Sequence, residues 1–223
     1  MTYSIKKVAI LGGTFDPIHK GHMSFAYDVL EQTSVEEVVF MPAALQPFKL
    51  DVKTASFEDR VNMIKLAIDD ESDALDEIDK IMSVSSLEQE LEGVSYTYRT
   101  LDHFREKVRP GCDLHFITGS DTFVKLDIWK KAEHLLSTNT FVVGIRPGYP
   151  SEEVYEKKAE YEEKYGTRSI IIHNKRVDIS ATEIRNALEN RFSDGLSEAE
   201  RSVLDGMLAP GVVEYIKEKK LYR

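Results

Sequence analysis

The chain has 223 residues, 29 basic and 39 acidic side chains, a net charge of −10, and 42% hydrophobic against 30% charged residues. That is the balance of one globular domain able to bury a substantial core, and it excludes recruitment to nucleic acid by an overall basic field. Cys112 is the only cysteine, which excludes an internal disulfide and a cysteine-built zinc cluster; no apolar run approaches a membrane span, MTYSIKKVAIL lacks a signal peptide's layout, and a cytoplasmic protein is expected.

The apolar run KKVAIL (6–11) reads as a buried strand, and HMSFAYDVLEQ (22–32) as a helix, with Met23, Ala26, Tyr27 and Leu30 three or four apart. VEEVVFMP (35–42) is strand-like and stopped by Pro42. SFEDRVNMIKLAIDD (56–70) is a helix that Ser56 can cap, with Asp59 three residues on as in a capping box. The acidic stretch 69–79 reads as a solvated loop. IMSVSSLE (81–88) is read as a strand, YTYRTLDHFREKV (96–108) as a helix, and DLHFITGSD (113–121) as a strand running into a turn. TFVVGIRP (140–147) is another strand, SEEVYEKKAEYEEKY (151–165) a charged and exposed helix, SIIIHN (169–174) a short β-branched strand, and SATEIRNALEN (180–190) a helix. The tail from Leu196 reads as two short helices packed on the sheet.

Strand and helix alternate throughout. The expected fold is α/β: a Rossmann-like, doubly wound, mostly parallel sheet with helices on both faces, in a single domain over 1–223 with 191–223 as a small C-terminal helical extension. Such sheets bind ligands beyond the carboxyl ends of their strands. Three of these ends carry polar, loop-forming residues: Gly12–His22, Thr118–Asp121 and Gly144–Gly148.

The stretch GGTFDPIHKGH (12–22) lies where the first strand ends and the first helix begins. Glycines there let the backbone approach an anion closely, and a helix starting near His19 to His22 aims free N–H groups and a positive dipole end at it. His19 and His22 share one face of a first turn, and their imidazoles can donate to phosphate oxygens, charged or neutral near pH 7. A plain tight turn is the alternative. A metal held by the two histidines has no obvious third ligand by spacing, and neither GxxxxGK[ST] nor GxGxxG is present. ISATEIR (179–185) begins a helix where Ser180 and Thr182 can cap or donate to phosphate and Arg185 can grip it bidentately; an ordinary cap with Glu183 is the alternative.

The whole string GGTFDPIHKGH resembles the HxGH signature of the nucleotidyltransferase superfamily, and ISATEIR resembles that superfamily's ISSTxIR motif. MPAALQPFK (41–49) is similar to the MPxxxPPHK segment of bacterial nicotinate-nucleotide adenylyltransferases, with Phe48 replacing the histidine and Lys49 matching. SYTYRTL (95–101) resembles their SYTxDTL with Arg99 at the aspartate, GSDTFVKLDIWKKAEHLL (119–136) their GxDxxxxLxxWxxxxxLL, and APGVVEYIKEKKLY (209–222) their closing PxxVxxYIxxxxLY.

The resemblance implies adenylyl transfer from ATP to nicotinate mononucleotide, with magnesium carried by the ATP and no metal held by a protein motif. It implies His19, His22 and Arg185 as catalytic residues, with Gly12, Gly13, Thr14, Phe15, Lys49, Ser180, Thr182 and Arg185 around the ATP phosphates. It implies Asp121 on a ribose hydroxyl, Trp129 stacked on the pyridine ring, and Thr97 near the pyridine carboxylate. A packing anchor on a charged helix is the alternative for Trp129, and Arg146, grouped with these nicotinate mononucleotide residues, could line the nucleotide pocket or cap its own loop. The partners implied are ATP and nicotinate mononucleotide, with no nucleic acid or membrane; a homo-oligomer is compatible with the sequence. The alternatives are nicotinamide mononucleotide or phosphopantetheine as acceptor, or a nucleotide-binding regulator without catalysis.

Overall fold

The computed structural model describes residues 6–44, 55–71, 80–91, 93–175, 179–189, 204 and 206–222. Lys49 and Phe48, most of the acidic stretch (72–79), residue 190 and residues 191–203 of the C-terminal extension lie outside the described residues. Six strands form one sheet in the order β3-β2-β1-β4-β5-β6. They are β1 (Lys7–Gly13), β2 (Glu37–Pro42), β3 (Ile81–Val84), β4 (Asp113–Gly119), β5 (Thr140–Ile145) and β6 (Arg168–His173). Every pairing is parallel. The central strands read as continuous apolar runs because both their faces are covered. Val8 and Ile10 of β1 face one core, while Ala9 and Leu11 face the other.

The first core packs α1 (Lys20–Gln32) and α2 (Phe57–Asp69), together with the helices Ala181–Glu189 and Pro210–Lys219 that close the chain, against the sheet. The second lies under Thr97–His103, Ala132–Thr138 and Ser151–Tyr165. The strand order reverses between β1 and β4, so their carboxyl ends, at Gly13 and Gly119, splay apart into a crevice. α1 is tied down at its far end: Gln32 donates to the His173 carbonyl at 2.9 Å and accepts from the His173 N–H at 3.1 Å. This pairing satisfies part of the β6 edge and fixes the axis along which α1 points its N-terminus at the crevice.

Several elements differ from the sequence expectation. The strand expected over 81–88 ends at Val84, because the Ser85 hydroxyl accepts from the Leu87 N–H at 3.3 Å and the chain turns into a short helix, Leu87–Glu90. The helix expected over 96–108 is α-helical only over Thr97–His103 and continues as a π turn over Phe104–Val108. β4 stops at Gly119, and Ser120 already belongs to a helix, Ser120–Phe123. Trp129 is not on a helix. It follows a 3₁₀ turn, Leu126–Ile128, in extended conformation (φ −74°, ψ 159°), and a left-handed Lys131 (φ 55°) separates it from the helix beginning at Ala132. The charged helix Ser151–Tyr165 has its expected bounds and buries Val154 and Tyr161. No helix among the described residues is long and apolar enough to cross a membrane.

Candidate active site

At the end of β1, a Cβ on Gly13 would sit 2.9 Å from the Phe15 ring, so only glycine fits there. Phe15 itself has φ 52°, a left-handed conformation that costs about 1 kcal/mol or more in a residue with a side chain. Packing holds it: the ring is buried, edge-on to Phe40 at 5.6 Å and to His22 at 5.0 Å.

Two carbonyls of this loop are each held by a guanidinium. Arg60 Nη1 donates to the Thr14 carbonyl at 2.7 Å, and Arg185 Nη1 donates to the Asp16 carbonyl at 2.6 Å. Engaging these oxygens removes the partial negative charge that would oppose an anion at the loop.

His19 is the N-cap of α1, with extended backbone, and His22 is its third helical residue. Their rings stack at 3.7 Å between centroids, inclined by 24°. The His19 main-chain N–H donates to His22 Nδ1 at 3.3 Å. Nδ1 is therefore the acceptor, and the ring proton sits on Nε2. Burial pushes the His19 imidazole down to about 4. His22 is held well below its ordinary value by burial, by His19 and by the positive charge of Arg146. Both rings are neutral at pH 7, so they meet an anion as N–H donors at a positive helix end.

This depression has a consequence for stability. An imidazole at about 4 in the fold and near 6.5 when unfolded takes up its proton first in the unfolded chain. Stability present above pH 6.5 is lost as pH falls toward 4. His19 alone is expected to cost about 2 kcal/mol between pH 7 and pH 5. A urea titration at both values checks this, and His19→Gln should flatten the slope.

ISATEIR arrives from the far end of the chain. Ser180 Oγ accepts from the Glu183 N–H at 3.1 Å, and the Ser180 N–H donates to Glu183 Oε2 at 3.3 Å, a reciprocal capping box. Thr182 Oγ1 accepts from Arg185 Nη2 at 3.1 Å. The Arg185–Asp16 bond joins residues 169 apart in sequence, so the two motifs meet at one loop.

Beside this corner lies a cavity of about 400 Å³, within the range of small-ligand sites. Gly12 and Gly13 form one wall, Thr97 and Tyr96 another, and Ile128, Trp129 and Lys130 the rim, over an apolar floor of Ile10, Met41, Leu101 and Phe116. Glu88 braces the wall: its carboxylate accepts from Thr100 Oγ1 at 2.8 Å and from the Ala44 N–H at 3.2 Å.

Gly12, Gly13, Thr97 and Trp129 thus share the cavity, while Phe15, His19 and His22 cluster behind the glycines and Arg185 holds the loop at Asp16. Arg146 is not in the cavity lining; it is exposed after β5, close enough to His22 to act on its proton. Asp121 is exposed on the helix after β4 and is not in the lining either.

Sequence reasoning missed Arg60, Asp16 and Tyr222. Arg60 is 3% exposed and also donates to the carbonyls of Ala43 at 2.9 Å and Ala55 at 3.3 Å, tying the ends of β1 and β2 to the start of α2. The available signal was an arginine on the apolar stripe Arg60, Val61, Ile64, Ala67.

A parallel sheet in 3-2-1-4-5-6 order, with a glycine turn, a neutral histidine pair and a helix N-terminus at its switch point, defines a Rossmann-like nucleotide-binding protein. The cytidylyltransferase-like family model matches residues 10–187. Over 219 residues the chain is 35% identical to "Probable nicotinate-nucleotide adenylyltransferase" of Clostridium botulinum, covering 98% of this chain and 99% of that protein. It is 38% identical over 187 residues to the protein of the same name from Clostridium novyi, covering 84% and 89%. A solved structure of Plasmodium falciparum nicotinic acid mononucleotide adenylyltransferase, complexed with NaAD, shares the fold with a TM-score of 0.75 at 22% identity, over 97% of each chain. The chain belongs to the cytidylyltransferase-like family and, within it, to the nicotinate-nucleotide adenylyltransferases. It is a nucleotidyltransferase.

Proposed function

We propose that this enzyme transfers the adenylyl group of ATP to nicotinate mononucleotide, giving nicotinate adenine dinucleotide and pyrophosphate on the route to NAD. The observation that carries this is the shared glycine wall. Gly12 and Gly13 line an apolar cavity with room for a planar ring, and beyond the Phe15 ring that abuts Gly13 stands the neutral histidine pair at a helix N-terminus. A 5′-phosphate extending from the cavity meets the ATP α-phosphorus at that wall.

The attacking phosphate oxygen is already an anion, so no general base is needed. It forms a bond to the α-phosphorus in line as the bond to pyrophosphate breaks. His22 Nε2–H and His19 donate to the triphosphate, Arg146 adds charge from the β5 loop, and Arg185, Ser180 and Thr182 grip from the opposite side. Trp129 stacks on the pyridine ring, Thr97 faces its carboxylate, and Asp121 holds a ribose hydroxyl. Among the described residues no group of three or more His, Cys, Asp or Glu side chains could hold a metal ion. Magnesium would arrive with the ATP that carries it, where it would offset phosphate charge. The enzyme works as one domain over 1–223 with a C-terminal extension from 191, in the cytoplasm, on small molecules and without nucleic acid or membrane.

The test is pyrophosphate release from magnesium ATP with nicotinate mononucleotide, nicotinamide mononucleotide or phosphopantetheine. The acid is expected to give the highest kcat/KM; preference for phosphopantetheine would overturn the acceptor. Trp129→Ala should raise KM for nicotinate mononucleotide roughly 10-fold and leave KM for ATP within about twofold, since aromatic stacking is worth about 1–3 kcal/mol.

A further inference from the structure

Asp16 is 2% exposed and stands at the meeting point of four segments. Its Oδ1 accepts from the Ala55 N–H at 3.0 Å, at the entrance to α2, and from the Tyr222 hydroxyl at 2.7 Å. Its carbonyl accepts from Arg185, and its Oδ2, buried without a hydrogen bond, lies 3.9 Å from the same guanidinium. Besides Arg185, Tyr222 reaches this loop from late in the chain. After Pro210–Lys219 the backbone turns through two left-handed residues, Lys220 (φ 55°) and Tyr222 (φ 62°), neither of them glycine. Such conformations persist where surrounding contacts over-determine them. Here the Leu221 N–H donates back to the Ile216 carbonyl at 3.1 Å, and Leu221 and Tyr222 pack on the first core. The turn aims one hydroxyl at one buried carboxylate.

We propose that Tyr222 is a positioning residue of the ATP site: its hydroxyl fixes Asp16, and the Asp16 carbonyl in turn fixes the guanidinium of Arg185. This rests on the reading of Arg185 as a triphosphate ligand. The physical sequence is short. A buried carboxylate stays in place only while donors hold it. Tyr222 supplies one of the two donors on Oδ1, and without it Asp16 can rotate toward Arg60 or Arg185, the two cations that flank it. Either movement shifts the carbonyl that anchors Arg185. Burial and the neighbouring Asp16 charge push the Tyr222 phenol well above its ordinary range, so it remains a proton donor at every working pH. The last residues of the chain thereby complete a site whose first residues are at the end of β1.

The test is Tyr222→Phe, which keeps the ring and removes the hydroxyl, studied alone and combined with Arg185→Ala. The expected result is a rise in KM for ATP of about 5- to 10-fold, with KM for nicotinate mononucleotide within twofold and a protein that still melts cooperatively. In the Arg185→Ala background the same substitution should add less than twofold, because the group it positions is gone. An unchanged KM for ATP, an equal rise for both substrates, or full additivity with Arg185→Ala would overturn the positioning role. If Arg185→Ala alone leaves KM for ATP unchanged, it is the triphosphate reading of Arg185 that fails, and the role of Tyr222 falls with it. Should the phenylalanine variant not fold, Tyr222→Leu, which also lacks the hydroxyl, is judged by the same measurements.

Discussion

His22→Ala lowers turnover by about 10²–10³-fold while changing folding stability by only about 1 kcal/mol. The asymmetry follows from the geometry. In the resting fold His22 contributes one hydrogen bond, as acceptor of the His19 N–H, a stack on the His19 ring and an edge contact to Phe15; none is a buried charge pair. All are modest. On the proposed mechanism its Nε2–H donates to the charge that passes from the α-phosphate to the leaving pyrophosphate, a role the resting fold does not use. Loss of one such preorganised donor costs about 3–4 kcal/mol of barrier. Steady-state kinetics with chemical denaturation of the same sample separates the two effects. A folded His22→Ala enzyme with near-normal turnover would remove the histidine pair from the mechanism.

The second large effect is on folding. Arg60→Ala should destabilise the protein by about 4 kcal/mol, a large part of the 5–15 kcal/mol typical of a domain. Buried Arg60 donates to the carbonyls of Thr14, Ala43 and Ala55, three half-buried residues where the ends of β1 and β2 meet the start of α2. Removing the guanidinium leaves carbonyl groups without donors as well as a cavity. Arg60→Lys should recover only part of the loss, because a single ammonium cannot span the fork that reaches separate strands. Urea unfolding midpoints for the three proteins measure this. A loss below about 1 kcal/mol would mean that the loop carbonyls find other donors.

Much of this is legible in the sequence. The buried strands carry apolar runs on both faces because the sheet is covered on both sides, and that pattern survives in the VAIL of KKVAIL and in TFVVGI without any tertiary information. The site motifs were legible because glycine, histidine and a capping serine have few reasons to coincide at strand ends. What escaped was set by contacts distant in sequence. Asp16 looks like an ordinary turn residue until Arg185 and Tyr222 arrive from 169 and 206 residues away. Periodicity cannot distinguish an α-helix from the 3₁₀ turn that ends before Trp129, since both place apolar residues three or four apart. Its loop alone groups Arg146 with the pyridine residues; only the closeness of the β5 end to α1 brings its charge to His22. Gly144 shows how close that approach is, since a Cβ there would meet the Phe25 ring at 2.5 Å and overlap Asn174.

The fate of the ATP α-phosphorus is the most direct measurement. With α-labelled magnesium ATP and nicotinate mononucleotide, the label is expected in nicotinate adenine dinucleotide, with one pyrophosphate released per label transferred and none without the acceptor. Label retained in ATP, or recovered only in AMP, from folded protein that binds both nucleotides would contradict adenylyl transfer at this site.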